Sequence, residues 1–279
     1  MNTPELQNIA SQIRRDIVRM VHGAGNGHPG GALGCTELFT LLYFKLMKHS
    51  PEFTMNGLGE DLFFLSNGHI SAVWYSSLAR SGYFPITELQ SHRKINSRLQ
   101  GHPTTHEGLP GIRVASGSLG QGLSVSIGAA LAKKLNKDPR WVYVLMGDGE
   151  LQEGQIWEAA MFAPHNQVDN LIAFVDYNGQ QIDGSTLEVL ENPNLDKKFE
   201  YFGWEVLQCN GNDLEELEAC ILKAQSLSGN KKPIMILMHT QMGYGVDFMM
   251  GSHHWHGVAP DDAQAQKALA QLPETLGDF

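Results

Sequence analysis

Cysteine is scarce in this chain: Cys35, Cys209 and Cys220 are the only three in 279 residues, and none forms a C-x-x-C pair. An odd count with that spacing offers neither a disulfide framework nor a thiolate metal site, and a reducing cytoplasm is the expected compartment. Basic residues are also in deficit, 20 Lys plus Arg against 30 Asp plus Glu, for a net charge of -10. A chain of that sign repels a phosphate backbone, and no basic run compensates locally, so no nucleic acid partner is expected. Long apolar runs are missing as well. The longest, Leu38 to Met47, is broken by Lys45, well short of the ~20 residues that span a bilayer, so no membrane partner is expected. The first twenty residues lack the basic start and apolar block of a secretory signal. Nor is there an internal repeat, a low-complexity tract or a Pro/Ser-rich linker, and residues 1–279 read as a single domain.

Glycine, by contrast, is abundant, 30 of 279 residues, above the usual ~7%. Residues 5 to 22 place Leu6, Ile9, Ile13, Ile17, Val18 and Val21 at the spacing of an amphipathic helix, and the loop GAGNGHPGG ends it. Short β-prone runs recur at 61–66, 141–146, 171–176, 204–208 and 234–238, nearly continuously apolar, as strands buried on both faces should be. Their alternation with helices predicts an α/β fold, a doubly wound, mainly parallel sheet with helices on both faces. Ligands bind such sheets beyond the carboxyl ends of the strands. The loops that follow the strands read SNGH, GDGELQEG, YNGQQIDG and MHTQMGYG…GSHHWHG, rich in His, Gly, Asp and Asn.

Gly25 to Gly30 matches G-x-G-x-x-G, but it follows a helix where a dinucleotide site needs a preceding strand. Gly117-Ser118-Leu119-Gly120-Gln121-Gly122 opens a helix running to about Asn136 and suits either phosphate binding or close helix packing. Asp148 and Asn178 form a sharper pair. A hard divalent cation takes oxygen ligands and keeps substrate phosphate oxygens among them. GDG after one strand and N-x-Q after the next supply a carboxylate, an amide oxygen and a backbone carbonyl. The 28 residues from Glu150 to Tyr177 leave room for one crossover helix, so the two loops should be neighbours.

GDG, a stretch of this length and then Asn resembles the diphosphate-and-metal motif of thiamine diphosphate enzymes. The set GNGHPGGALG, LSNGH, LQGHP, ASGSLGQGLS, GDGELQEGQIWEA and GYGV…GSHHWHG looks like the N-terminal half of transketolase, from about residue 5 to residue 262. The resemblance implies thiamine diphosphate with Mg²⁺, or Ca²⁺ or Mn²⁺ in its place. Asp148, Asn178 and the carbonyl of Gln180 match the metal ligands, with the Gly149 N–H on the diphosphate. His69 matches a diphosphate contact; Gly117, Leu119 and Ile182 match positions around the cofactor rings, and Ser118 and Glu150 complete the cofactor set. His28, His102 and His253 match active-site histidines that bind the donor sugar and shuttle protons, His253 near the diphosphate and His69 acting with them. Glu153 matches an interface glutamate, and Arg93 an arginine for substrate phosphate. Histidine suits the task, because moving a ketol unit means protonating and deprotonating oxygens near neutral pH. His22, His49, His92 and His165 lack motif context and read as surface or packing residues. His253, His254 and His256 as a metal site lack a fourth ligand.

Three departures stand out. Ser118 replaces a common Pro, Tyr177 replaces an acidic or amide residue, and the chain stops at Phe279, before the family's pyrimidine-binding domain. The implied reading is the N-terminal subunit of a split transketolase that moves a two-carbon ketol group from a ketose phosphate to an aldose phosphate. Its partner would be a C-terminal transketolase subunit carrying the pyrimidine-binding domain. Self-association through a two-fold interface would give a heterotetramer. The alternatives are the α-type subunit of a 2-oxoacid dehydrogenase and a non-catalytic cofactor-binding subunit. Pentose phosphates, a branched sugar or a sulfosugar all remain open as substrates.

Overall fold

The short apolar runs of the sequence are the strands of one parallel sheet. In the computed structural model, which describes residues 1–279, helix α1 (Thr3–Ala24) is followed by α2 (Pro29–Gly34), α3 (Thr36–Leu41), β1 (Leu62–Leu65) and α4 (Ser71–Arg80). After a long loop come α5 (Gln121–Leu135), β2 (Val142–Gly147), α6 (Gly154–His165) and β3 (Leu171–Tyr177). A small hairpin, β4 (Gln180–Gln181) and β5 (Gly184–Ser185), leads through α7 (Thr186–Leu190) and α8 (Leu195–Phe202) to β6 (Glu205–Asn210). The chain then forms α9 (Leu214–Ser226), β7 (Ile234–His239) and α10 (Asp262–Gln271).

The main sheet has the order β1-β2-β3-β7-β6, with every neighbouring pair parallel. Alternate residues of each strand feed two separate cores. Tyr143, Leu145, Ile172, Phe174, Ile234 and Ile236 join a 48-residue core with α1, α3, α4 and α9. Val142, Val144, Ala173, Val175, Met235 and Leu237 join a 22-residue core with α5, α6 and α8. Burial on both faces is why these strands show no polar alternation. Only β6, at one edge, is partly exposed along its length.

Local chemistry sets the ends of the helices. Asn2 and Glu5 close a capping box at the start of α1, and Gly25 stops it in a left-handed conformation at φ 66°. All six apolar positions expected on the buried face of α1 are buried. The same helix also buries Asp16, whose carboxylate accepts from Arg80 Nε at 2.8 Å, Arg80 Nη2 at 2.9 Å and Ser76 Oγ at 2.7 Å, tying α1 to α4. No helix is long and apolar enough to cross a membrane.

Candidate active site

Strand register brings the loops of the central strands level. Gly147 of β2 pairs with Asp176 of β3, and Tyr177 of β3 with His239 of β7. Beyond these ends lies a cleft of about 420 Å³, and His28, ahead of α2, and His102 and Gly117, from the long loop, close its other side. This is where the topology places ligands in open α/β sheets.

Glu150 holds three of the loops together. One carboxylate oxygen accepts from Ser66 Oγ and from the Gly120 N–H at 2.8 Å, and the other from the Gly147 N–H at 3.1 Å. The side chain is buried, and burial raises its pKa against those hydrogen bonds. Glu150, expected among the cofactor contacts, lines the cleft and fixes its walls. Gly122 has no room for a side chain, because a Cβ there would lie 2.4 Å from Ser66 Cβ.

Asp148 sits at the floor. Its carboxylate accepts the Gly149 N–H at 2.8 Å and the Gly179 N–H at 2.6 Å, which joins the two loops expected to be neighbours. Burial and then the charge of Asp176 push its pKa up to about 7. Asn178 accepts the Gln180 N–H through Oδ1 at 2.8 Å and donates through Nδ2 to Asp176 at 2.8 Å. Asp176 itself, buried at the end of β3, also accepts from Thr240 Oγ1 and from the Cys35 thiol. Sequence reasoning missed it, although an acid ending the otherwise apolar run LIAFVD was a signal. No three His, Cys, Asp or Glu side chains gather as a metal site, so His253, His254 and His256 form none. A cation here would draw on the Asp148 carboxylate and on amide and carbonyl oxygens, the donor set of a hard divalent ion.

Histidine rings crowd the opposite wall. The His28 ring centroid lies 5.1 Å from His69, 6.2 Å from His102 and 5.8 Å from His256, and His69 stacks on His256 at 4.9 Å. Burial, followed by the neighbouring His256, Arg93 and His102, lowers the His28 pKa to about 4. Burial is also the first cause lowering His69, His102 and His256, with Arg93 adding to His102. All four rings are therefore neutral near pH 7. Gly117 makes room for one of them: at φ 125° its Cβ would meet His102 Cδ2 at 2.7 Å.

Two expected residues lie elsewhere. His253 is exposed and outside the cleft, whereas His256, three residues on, lines it. The cause is a 3-10 turn at His253–Trp255, anchored by the buried Trp255, whose Nε1 donates to the Phe248 carbonyl at 2.9 Å. Past that anchor the chain swings His256 inward. Ser118 also faces solvent, its hydroxyl accepting from Gln121 Nε2 at 3.3 Å, while Gly117 and Leu119 line the cleft. Gln180, Ile182 and Glu153 line it too, Glu153 and Ile182 at an exposed rim. Arg93 reaches the edge of the cleft beside His28. Of the histidines without motif context, His49 is wedged between Tyr83 and the Tyr43 carbonyl, His22 pairs with Asp262, and His92 is buried.

Residues 6–275 match the family model for the transketolase thiamine diphosphate binding domain. Among curated relatives, the chain is 38% identical over 271 residues to one subunit of the apulose-4-phosphate transketolase of Actinobacillus succinogenes, covering 97% of this chain and 96% of the relative. It is also 38% identical to a 6-deoxy-6-sulfo-D-fructose transketolase subunit of a Clostridium species, covering 96% of each. Among solved structures, transketolase from Campylobacter jejuni superposes with a TM-score of 0.90 at 34% identity, over 98% of this chain but only 43% of that longer one.

Proposed function

Since the chain belongs to the transketolase family through its thiamine diphosphate-binding domain, we propose that it is one half of a two-subunit transketolase. It would work with a separate subunit that supplies the pyrimidine-binding domain, and transfer a two-carbon ketol group from a ketose phosphate to an aldose phosphate. The observation that carries this reading is the pairing of two chemistries in one cleft, four neutral imidazoles facing the Asp148–Asn178 floor. A 2-oxoacid decarboxylation has no hydroxylated sugar for such a cluster to bind.

The residues fit the cofactor. Asn67 Oδ1 is buried at the cleft with no hydrogen-bond partner, and the only donors to Asp148 are two backbone N–H groups. Asp148, Asn178 and the Gln180 carbonyl would hold Mg²⁺, or Ca²⁺ or Mn²⁺, against the diphosphate, with His69 beside it. Gly149 would let that group approach, since a Cβ there meets Gln181 Oε1 at 3.2 Å. Gly117, Leu119 and Ile182 would border the rings. Bound there, thiamine diphosphate supplies the electron sink for the ketol unit. The protein's part is acid-base and positional. Neutral His28, His102 and His256 hydrogen-bond sugar hydroxyls, and rings of this cluster take or return protons as alkoxides form and collapse. Arg93, with Nε unpartnered, stands where a sugar phosphate would approach.

The partner reading has support at the surface. Met161 and Phe162 on α6 and Leu187 and Leu190 on α7 are exposed apolar side chains, and Glu153 is exposed at the rim of the cleft. A two-fold assembly of both subunits would bury them. The three free cysteines suit a cytoplasmic setting. Isothermal titration tests the cofactor assignment: the complex of both subunits should bind thiamine diphosphate only with a divalent cation, and Asp148→Ala should abolish that binding without dissociating the subunits. Unchanged binding by Asp148→Ala would refute it.

A further inference from the structure

A neutral imidazole carries one proton on two nitrogens, and which nitrogen holds it decides whether the ring gives or takes a hydrogen bond in a site. His28 has a neighbour that makes this choice. Arg93 donates through Nη1 to Asn26 Oδ1 at 2.8 Å and through Nη2 to the Gly101 carbonyl at 3.3 Å, and Nη2 stands 3.4 Å from His28 Nδ1. Arginine has donors only and keeps its charge in proteins, so His28 Nδ1 can meet it only with a lone pair. We propose that Arg93 is a positioning residue that fixes His28 as its Nε2–H tautomer, so that the ring presents a hydrogen-bond donor to the cleft.

The surroundings of Arg93 are built to hold the guanidinium there. Its backbone takes the left-handed conformation at φ 57°, uncommon for a residue other than glycine. Gly101 leaves the space, because a Cβ at that position would lie 2.7 Å from Arg93 Cζ. The Gly101 carbonyl also accepts from Ser71 Oγ at 2.9 Å, so the guanidinium bridges a loop fixed to α4 with the Asn26–His28 loop. No carboxylate competes for it: the titratable groups it influences are Tyr75, His28, His92 and His102. Around His28 the other facing groups are the rings of His69, His102 and His256, none of them acidic. Nε2 has no hydrogen-bond partner within the chain and is left for a ligand. On the transketolase reading, on which this consequence rests, His28 would hydrogen-bond a sugar oxygen as donor and stabilise the negative charge where an alkoxide develops, keeping its own proton. The proton-accepting steps would then fall to other rings.

The test is ¹⁵N nuclear magnetic resonance of the full chain labelled at histidine, with His28 assigned by its loss in His28→Gln. At pH 7 the wild-type ring should show a protonated Nε2 and an unprotonated Nδ1, and Arg93→Met should convert it to a mixture of tautomers. If Arg93→Met does not fold, Asn26→Ala, which removes the shortest anchor of the guanidinium, takes its place with the same expected change. A wild-type ring protonated at Nδ1, or averaging both forms, overturns the proposal, and so does an unchanged spectrum in the folded variant. Neither partner nor cofactor enters these spectra, so failure here is distinct from failure of the transketolase reading.

Discussion

At the scale of single residues, the contrast between His253 and His256 is the sharpest test of the site. His256 stacks on His69, whereas His253 is exposed. His256→Ala should lower kcat of the assembled enzyme by the roughly 10²–10⁴-fold typical of a lost acid-base group, while His253→Ala should stay within about twofold of the parent. A steady-state ketol-transfer assay of both variants decides it, and the reverse ranking would restore His253 to the site. The pH profile is set at the same scale. Each cleft imidazole must be neutral to act, whether it accepts a proton or offers a hydrogen bond from one nitrogen, and burial lowers all four pKa values, that of His28 to about 4. The acid limb of kcat/KM attributable to them should therefore lie below the ordinary histidine value of about 6.5; a limb at or above it would contradict their neutral burial. Much of this site was legible in the sequence, because Asp148, Asn178, His28, His69 and His102 each sit in a glycine-bearing loop after a strand or before a helix. Which of three histidines in GSHHWHG turns inward was not legible, since a buried tryptophan hydrogen-bonded to the Phe248 carbonyl and a 3-10 turn decide it, and neither leaves a spacing pattern. Asp176 was hidden for a related reason: its role comes from Thr240 and Cys35, which no spacing rule connects to it.

Elements were easier to read than contacts. The five apolar runs became the five strands of the main sheet; four of them are buried on both faces and so leave a continuous apolar signature, while edge strand β6 is partly exposed. The β4–β5 hairpin, two residues to each strand, leaves no such pattern, nor does the π-helical turn at Leu42–Leu46 that ends α3. The polar clamp between α1 and α4 was equally invisible, since Asp16 shares the buried face with Ile9, Ile13 and Met20 but, being charged, adds nothing to its apolar pattern. In that clamp both partners have almost no exposure, 3% for the Arg80 side chain and 0% for Asp16. Arg80→Met should leave the Asp16 carboxylate buried without its cation and destabilise the fold by about 3–5 kcal/mol. Urea unfolding followed by circular dichroism measures this, and a loss under about 1 kcal/mol would show that water or a second partner replaces the arginine.

On the proposed reading, the whole molecule would present one wall of a catalytic centre. Its cleft carries the metal-type oxygen donors and the histidines, and the exposed Ile182, Leu187, Leu190, Met161 and Phe162 leave apolar surface for a second subunit. The relatives named as transketolase subunits are matched along nearly their full length, while full-length transketolase from Campylobacter jejuni is matched over 43% of its chain. Chemistry is thus expected only when two subunits meet. The most direct measurement is ketol transfer from phosphorylated ketoses with thiamine diphosphate and Mg²⁺, assayed for this chain alone, its co-purified companion alone, the mixture, and the mixture made with His102→Ala. Turnover is expected in the mixture alone, reduced at least a hundredfold by His102→Ala with the complex still assembled. A complex that binds the cofactor yet turns over no ketose, or one indifferent to His102→Ala, would contradict that expectation.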